Sequence, residues 1–259
     1  MTLLELSGEY RASAAALRER YHVEACNGMN YLRAGEETTD PCLGRLLKEL
    51  GEESYRQADQ LMALLERALG DGALGVSLGL GYAPECFYDT AGLIRALEPL
   101  RDSGVPITVH MRQEGDGVVE ALSEMLTVAR SLRTPVEISH LKAIGRRNWR
   151  RAVPQMLEML SQARQEGLDI ACDVYPYPAG STQLIHVLPP EFQAGGMEAL
   201  TAALQDAQQR TAMRRRMETG TDFENISLLV GFENILPTSL HDPADQSWEG
   251  ISLADMADR

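Results

Sequence analysis

The chain has 259 residues, of which 44% are hydrophobic and 24% are charged, and its formal net charge is −14. This length accommodates one large α/β domain or two small ones, and the composition favours a packed core over extensive disorder. The acidic balance argues against a nucleic-acid partner, because phosphate binding requires a basic surface. We expect no membrane association, since no run approaches the roughly 20 apolar residues that cross a bilayer.

Targeting and cysteine signals point to one compartment. The first residues lack the basic flank and the long apolar run of a signal peptide. Cys26, Cys42, Cys86 and Cys172 are scattered without a CxxC pair, and in a chain of this size they are expected to be reduced. The sequence therefore predicts a cytoplasmic location.

Apolar periodicity alternates between strand-like and helical segments along the chain. Strands are predicted at residues 21–26, 73–79, 106–110, 135–140 and 168–175. Helices are predicted at residues 53–69, 90–103, 118–131 and 148–167. This alternation indicates a parallel sheet. Beyond residue 181 the pattern predicts one or two helices over 196–218, a strand over 225–233 and a helix from residue 253.

Two of the predicted strands end in a histidine. His110 closes the strand of residues 106–110, and His140 closes the strand of residues 135–140, 30 residues later. In a parallel αβ barrel both rings would lie at the carboxyl ends of neighbouring strands, where such barrels carry their catalytic groups. Two neutral imidazoles that converge there suit a divalent metal such as zinc. The alternative is that each histidine is a separate, hydrogen-bonded imidazole of the core.

A cation follows each histidine at the spacing that keeps side chains on one face of a strand. Arg112 follows His110, while Ile138, His140 and Lys142 are predicted to share a face of the next strand. A metal held by the histidines, with the cations two residues further toward the barrel mouth, would suit a substrate with a scissile carbonyl and a carboxylate. The glycine-rich loop of residues 112–117 has no phosphate-binding spacing and is interpreted as a tight turn.

The fifth predicted strand leads into a loop rich in tyrosine and proline. Asp173, Tyr175 and Tyr177 would share one face, and Ser181 follows in the loop. Tyrosine hydroxyls at a barrel mouth can donate hydrogen bonds to a developing oxyanion. The alternative is a proline-stiffened loop in which the tyrosines only pack.

Five segments, in this order, resemble the D-aminoacylase branch of the amidohydrolase superfamily, the N-acyl-D-amino-acid deacylases. They are GALGVSLG (72–79), VHMRQEGDG (109–117), ISHLKA (138–143), GRRNW (145–149) and DVYPYPAGST (173–182). The resemblance implies a zinc-dependent (β/α)8 TIM barrel with a small β-sandwich. It also implies hydrolysis of an N-acyl-D-amino acid to a carboxylate and the free D-amino acid, in which the metal activates water and polarises the amide.

The resemblance also implies roles for individual residues. His110 and His140 match the family's metal-binding histidines, and Lys142, Tyr175 and Ser181 match positions that hold the substrate carboxylate or polarise the scissile carbonyl. Lys142 and Tyr175 are accordingly the expected catalytic residues. The expected substrate-binding residues are Lys142, Tyr175, Ser181 and Arg112.

Three features of the family are not matched: a His-x-His motif, an upstream metal-binding cysteine and a general-base aspartate. The chain is therefore expected to form one partial barrel domain over residues 1–259, with strands three to seven but without the first two strands, the last strand and the sandwich. Residues 1–180 would carry the βα units, and residues 181–259 a helical insertion and loops. Such a chain is expected to be poorly active unless a second polypeptide supplies the missing strands.

Two other functions remain open from the sequence. One is a different amidohydrolase activity, such as hydrolysis of a cyclic amide or a dipeptide. The other is an inactive, non-catalytic remnant that serves in binding or assembly. Bound metal separates the remnant from the enzymes, because the remnant would hold close to none.

Overall fold

A computed structural model of the chain describes residue 45, residues 61–83 and residues 85–258. The strand predicted at residues 21–26 lies outside these residues. The helix predicted at residues 53–69 lies partly outside them, and its described part belongs to a helical segment at residues 61–70.

Four strands form one sheet in the order β1 (Val76–Gly79), β2 (Ile107–His110), β3 (Val136–Ile138) and β4 (Ile170–Cys172). β2 and β3 pair in parallel, as do β3 and β4. Along β1, the amide of Val76 donates to the carbonyl of Pro106, and the amide of Leu80 donates to the carbonyl of His110. These two bonds advance in the same direction on both strands, so β1 is also parallel to β2. The predicted parallel α/β sheet is confirmed.

The described residues fall into two compact units. The first consists of residues 45, 61–76, 86–106 and 127–135, and the second of residues 77–83, 85, 107–126 and 136–258. The helices are α1 (Thr90–Ala96), α2 (Val118–Leu132), α3 (Ala152–Gln165), α4 (Gly196–Gln205), α5 (Ala207–Thr219), α6 (Ile226–Val230) and α7 (Leu253–Ala257). Among the described helices, none is both long and apolar enough to cross a membrane. The single barrel domain stays a prediction.

Local chemistry sets several helix boundaries. The Asp89 carboxylate caps α1 by accepting from the amide of Gly92 at 2.6 Å. α1 ends at Ala96, earlier than predicted, and a 3-10 turn follows at Glu98–Leu100, which contains a proline. The Asp206 side chain caps α5 by accepting two amide hydrogen bonds at 2.8 Å, so the predicted helical region 196–218 is two helices.

The strand predicted at residues 225–233 is wrong, because these residues form α6 and a 3-10 turn, Phe232–Asn234. The Asn225 side chain accepts a hydrogen bond from the amide of Leu228 and so caps the start of α6. Gly231, with a φ of +81°, ends the helix in a conformation that favours glycine. An apolar run of this length suits a strand or a short helix equally well, and here the Asn225 cap favours the helix.

Burial along β2 separates a core face from a functional face. Ile107 and Val109 are fully buried, whereas Thr108 and His110 are only partly buried. Side chains alternate between the faces of a strand, so His110 projects from the face opposite to the apolar core. In the second unit this core also contains Met111, Leu122, Met125, Ile138, Met156 and Ile170.

Candidate metal centre

The two strand-end histidines face each other. His110 Nδ1 lies 3.1 Å from His140 Nε2. The ring centroids are 4.9 Å apart, and the ring planes make an angle of 69°. Two nitrogen ligands at ~2.0–2.1 Å from a tetrahedral zinc lie about 3.3 Å from each other. The observed spacing therefore fits one shared ion.

His140 reaches this position by leaving the strand geometry. β3 ends at Ile138, and His140 has a φ of +43°, in the left-handed region. Regular alternation would place the His140 side chain on the face of Ile138, which is fully buried. The prediction that Ile138 and His140 share a face is therefore wrong, because the left-handed turn redirects the His140 ring toward His110.

A carboxylate that the sequence did not single out completes the cluster. The Glu114 side chain is 5% exposed, and its Oε1 lies 2.9 Å from His140 Nδ1 and 3.9 Å from His110 Nδ1. Each of these three residues offers one ligand atom, and the three atoms lie within 4.8 Å of one another. The signal that could have identified Glu114 is its place four residues after a strand-end histidine.

Aromatic and glycine residues enclose the His110 ring. The Tyr82 ring stacks on it, with the ring centroids 4.4 Å apart. The ring centroids of Tyr82 and His186 are 4.1 Å apart. A Cβ atom at Gly81 would lie 2.7 Å from His110 Nε2, so the backbone approaches the ring closely there. Burial lowers the pKa of His110 to about 3, with contributions from the positive fields of His140, Lys142 and His186. His110 is therefore a neutral ligand donor at ordinary pH.

Lys142 and Tyr175 lie beside the histidine pair. Lys142 Nζ is 2.5 Å from Glu114 Oε1 and 3.0 Å from His140 Nδ1. It also lies 5.5 Å from the centre of the Tyr175 ring, which is 6.3 Å from the His140 ring. The structure thus brings both expected catalytic residues to the metal centre, and their catalytic roles stay predictions.

The other two expected substrate-binding residues lie in different surroundings. Arg112 forms a two-point ion pair with Glu124, with both N···O distances 2.9 Å. Ser181 is exposed, and the next residue, Thr182, donates a hydrogen bond to the Tyr82 hydroxyl at 3.4 Å. The loop that carries Ser181 therefore reaches Tyr82, which stacks on the His110 ring. Substrate binding by Arg112 and Ser181 stays a prediction.

Glu224 is a second acidic residue that the sequence did not single out. Its Oε2 accepts a hydrogen bond from the backbone amide of Glu114, and its Oε1 is buried without a hydrogen-bond partner in the described structure. Burial raises the pKa of the Glu224 carboxyl to about 7, and the nearby Glu114 charge adds to the increase. It immediately precedes the segment predicted as a strand, and no sequence signal marks it.

Comparison with known proteins identifies relatives of this chain. A D-aminoacylase from Alcaligenes xylosoxydans xylosoxydans is 40% identical over 122 residues, 47% of this chain and 25% of the relative. An N-acyl-D-glutamate deacylase from the same organism is 34% identical over 134 residues, 52% of this chain and 27% of the relative. These deacylases are homologues of this chain. The resemblance drawn from the motifs is confirmed.

The matched segment spans only about a quarter of these deacylases, 25% and 27% of their lengths. No protein-family model matches the chain. Among solved structures, N-acyl-D-glutamate deacylase from Bordetella bronchiseptica, complexed with zinc and a phosphonate mimic of the tetrahedral intermediate, is 31% identical. That alignment covers 62% of this chain and 36% of the other, with a TM-score of 0.49.

Proposed function

We propose that the chain binds zinc between His110 and His140 and takes part in hydrolysis of the amide bond of N-acyl-D-amino acids. The observation that carries the proposal is the 3.1 Å opposition of His110 Nδ1 and His140 Nε2. Burial keeps His110 uncharged, as metal ligation requires. The deacylase homologues support this substrate class among the amidohydrolase alternatives.

The chemistry divides between the ion and the side chains around it. Zinc bound there supplies Lewis-acid polarisation of the amide and lowers the barrier to attack by water. The Lys142 ammonium attracts the substrate carboxylate, and the Tyr175 hydroxyl donates a hydrogen bond to the scissile carbonyl. Ser181 and Arg112 contribute further polar contacts to the substrate. Arg112 is already paired with Glu124, which fixes the orientation of its guanidinium group.

The architecture of the proposed enzyme extends the observed sheet. We propose that its strands belong to strands three to seven of a (β/α)8 barrel, in one domain over residues 1–259. The matched segment is 25% of the D-aminoacylase relative. We propose that further barrel segments, supplied by a second polypeptide, contribute to activity.

The first test measures zinc and turnover in the purified chain. We expect zinc uptake that His110→Ala and His140→Ala each abolish, whereas the control His241→Ala, at an exposed histidine, retains it. Equal uptake by the wild type and both site variants would contradict the metal centre.

Turnover is measured as release of the free amino acid from N-acetyl-D-glutamate and N-acetyl-D-leucine, with the L-enantiomers as controls. The chain is assayed alone and after co-expression with the polypeptides encoded beside it. We expect D-selective release that depends on His110 and is weak in the isolated chain. Failure of every zinc-loaded preparation to hydrolyse any D-substrate would contradict the deacylase function.

A further inference from the structure

We propose that a basic loop of one copy of the chain binds an acidic segment of a second copy, with Trp149 at the centre of the contact. The basic loop is residues 146–151, and the acidic segment is residues 232–258. Neither surface contains a residue that is proposed to bind zinc or the substrate. Self-association is therefore a property beyond the proposed hydrolysis, and either can hold without the other.

The basic loop concentrates positive charge in an acidic protein. Its sequence is RRNWRR, and all four arginines are exposed, in a chain whose net charge is −14. Arg147 pairs with Asp116 at 2.8 Å. Arg146, Arg150 and Arg151 form no ion pair with any residue that the structure describes. Three such guanidinium groups within six residues create a local positive potential that attracts carboxylates.

An exposed tryptophan lies in the middle of this loop. Trp149 is 61% exposed, and the next residue, Arg150, has a φ of +61°. A residue other than glycine is costly in this conformation, and such residues cluster where function imposes the geometry. Covering the apolar indole surface with a partner is favourable. Tryptophan and arginine also often dominate binding at protein interfaces, so the composition of the loop favours a protein partner.

Hydrogen bonds hold the basic loop in place before any partner binds. The Asn148 side-chain amide donates to Asp116 Oδ1 at 2.9 Å and to the Ile144 carbonyl at 2.8 Å. The Asn148 backbone amide donates to the Gly145 carbonyl at 3.0 Å. A surface that is already ordered loses less conformational entropy on binding, so these bonds favour association.

The acidic segment has the complementary charge. Residues 232–258 contain no lysine or arginine and six exposed acidic residues, Glu233, Asp242, Asp245, Glu249, Asp255 and Asp258. None of the six forms an ion pair with a basic side chain in the part of the chain that the structure describes. Phe232 and Leu236 of the same segment are 41% and 48% exposed. The segment therefore offers apolar surface for an indole ring together with carboxylates for the arginines.

Backbone hydrogen bonds fold the acidic segment back on itself. The Leu253 amide donates to the Ile235 carbonyl at 2.9 Å, and the Gly250 amide donates to the Pro237 carbonyl at 2.8 Å. The segment is thus a formed surface. Because every copy carries both this surface and the basic loop, the chain is electrostatically complementary to itself, and such complementarity selects the partner and the register of a contact.

The first experiment measures self-association of the chain by sedimentation equilibrium over a range of protein concentrations. We expect reversible association of the wild type. The loop variant Arg150→Glu/Arg151→Glu should weaken it at least about 100-fold, because like charges then face each other. The segment variant Asp242→Lys/Asp245→Lys should weaken it to a similar extent. A wild type that is monomeric at every concentration, or association that both variants retain, overturns the proposal.

The decisive experiment mixes the loop variant with the segment variant. Each variant alone presents a loop and a segment of the same sign. The mixture pairs the intact loop of one variant with the intact segment of the other, and the reversed loop with the reversed segment. We expect the mixture to recover most of the wild-type affinity, with each variant checked for its fold by circular dichroism. A mixture of folded variants that does not associate overturns the proposal.

Two further variants separate this contact from a general effect of charge. Arg214→Glu/Arg215→Glu makes the same change at two exposed arginines of α5 and should leave association unchanged. Trp149→Ala keeps every charge and should weaken association about 30-fold, as for an interface anchor. An equal loss in the α5 variant, or undiminished association in Trp149→Ala, overturns the proposal. Capture of a co-expressed polypeptide by the loop without self-association also overturns it, since the partner is then not a second copy.

Discussion

The side-chain carboxylate of Asp173 accepts a hydrogen bond from the backbone amide of His140. The Asp173 carbonyl accepts a second one, from the amide of Leu141 at 2.9 Å. These bonds join the end of β4 to the residues in which His140 adopts its φ of +43°. A left-handed non-glycine residue costs about 1–3 kcal/mol, so its surroundings must stabilise it. Asp173 is therefore the residue that supports the orientation of the His140 ring.

Replacing Asp173, which is not a proposed ligand, is expected to lower zinc affinity through its effect on His140. Asp173→Ala removes the acceptor and should lower the free energy of unfolding by about 1–3 kcal/mol. It should also lower zinc affinity by roughly tenfold, because His140 loses its fixed orientation. Asp173→Asn keeps an oxygen acceptor and should retain most of both quantities. Urea unfolding and competition with a chromophoric chelator measure them, and undiminished zinc affinity in Asp173→Ala would refute this role.

A methyl group at Gly81 is expected to displace the His110 ring. The added Cβ would lie 2.7 Å from Nε2 and 3.1 Å from Cδ2 of that ring. Gly81→Ala should therefore reduce zinc affinity about tenfold, since a ligand displaced by a fraction of an ångström loses its coordination geometry. Gly70→Ala is the matched control, because a Cβ there meets no atom within 4 Å. Equal affinities in the two variants would show that the ring has room to move.

Glu224 is expected to make stability depend on pH. Its pKa rises from 4.5 to about 7 in the folded protein, so between these values the folded state binds more protons than the unfolded state. The free energy of unfolding should then fall as the pH rises through this range, by at most roughly 3 kcal/mol. Glu224→Gln should remove this fall in the free energy of unfolding. The variant should therefore be more stable than the wild type, most of all at a pH above the folded pKa and not at all below the unfolded pKa.

Urea unfolding at an acidic and at a mildly alkaline pH measures the Glu224 effect. Glu218→Gln, at an exposed position of α5, is the control for loss of one negative charge. The interpretation fails if both variants show the same pH dependence, because the effect would then come from net charge and not from burial.

The sequence predicts features that depend on local periodicity, and it misses those that depend on distant partners. The four strands of the observed sheet, α2 and the pairing of His110 with His140 follow from short apolar runs and one βα spacing. The left-handed turn at His140 depends on Asp173, 33 residues away. The burial of Glu114 depends on contacts with Lys142 and with Glu224, the latter 110 residues away. No window of sequence contains both partners of such contacts.

Arg216 is expected to stabilise the second unit near α5 and the loop that follows it. Its guanidinium binds Asp222 at two points, both 2.9 Å, contacts Glu191 at 2.6 Å, and lies 5.2 Å from the Phe223 ring centre. The partners are partly exposed, so each contact contributes at most about 1 kcal/mol to the free energy of unfolding. Arg216→Ala should lower the free energy of unfolding by about 1–2 kcal/mol. Arg216→Lys should recover only part of it, because an ammonium cannot make the two-point contact. Arg215→Ala, at an exposed neighbouring position, is the control, and an equal loss there would attribute the effect to helix charge rather than to these contacts.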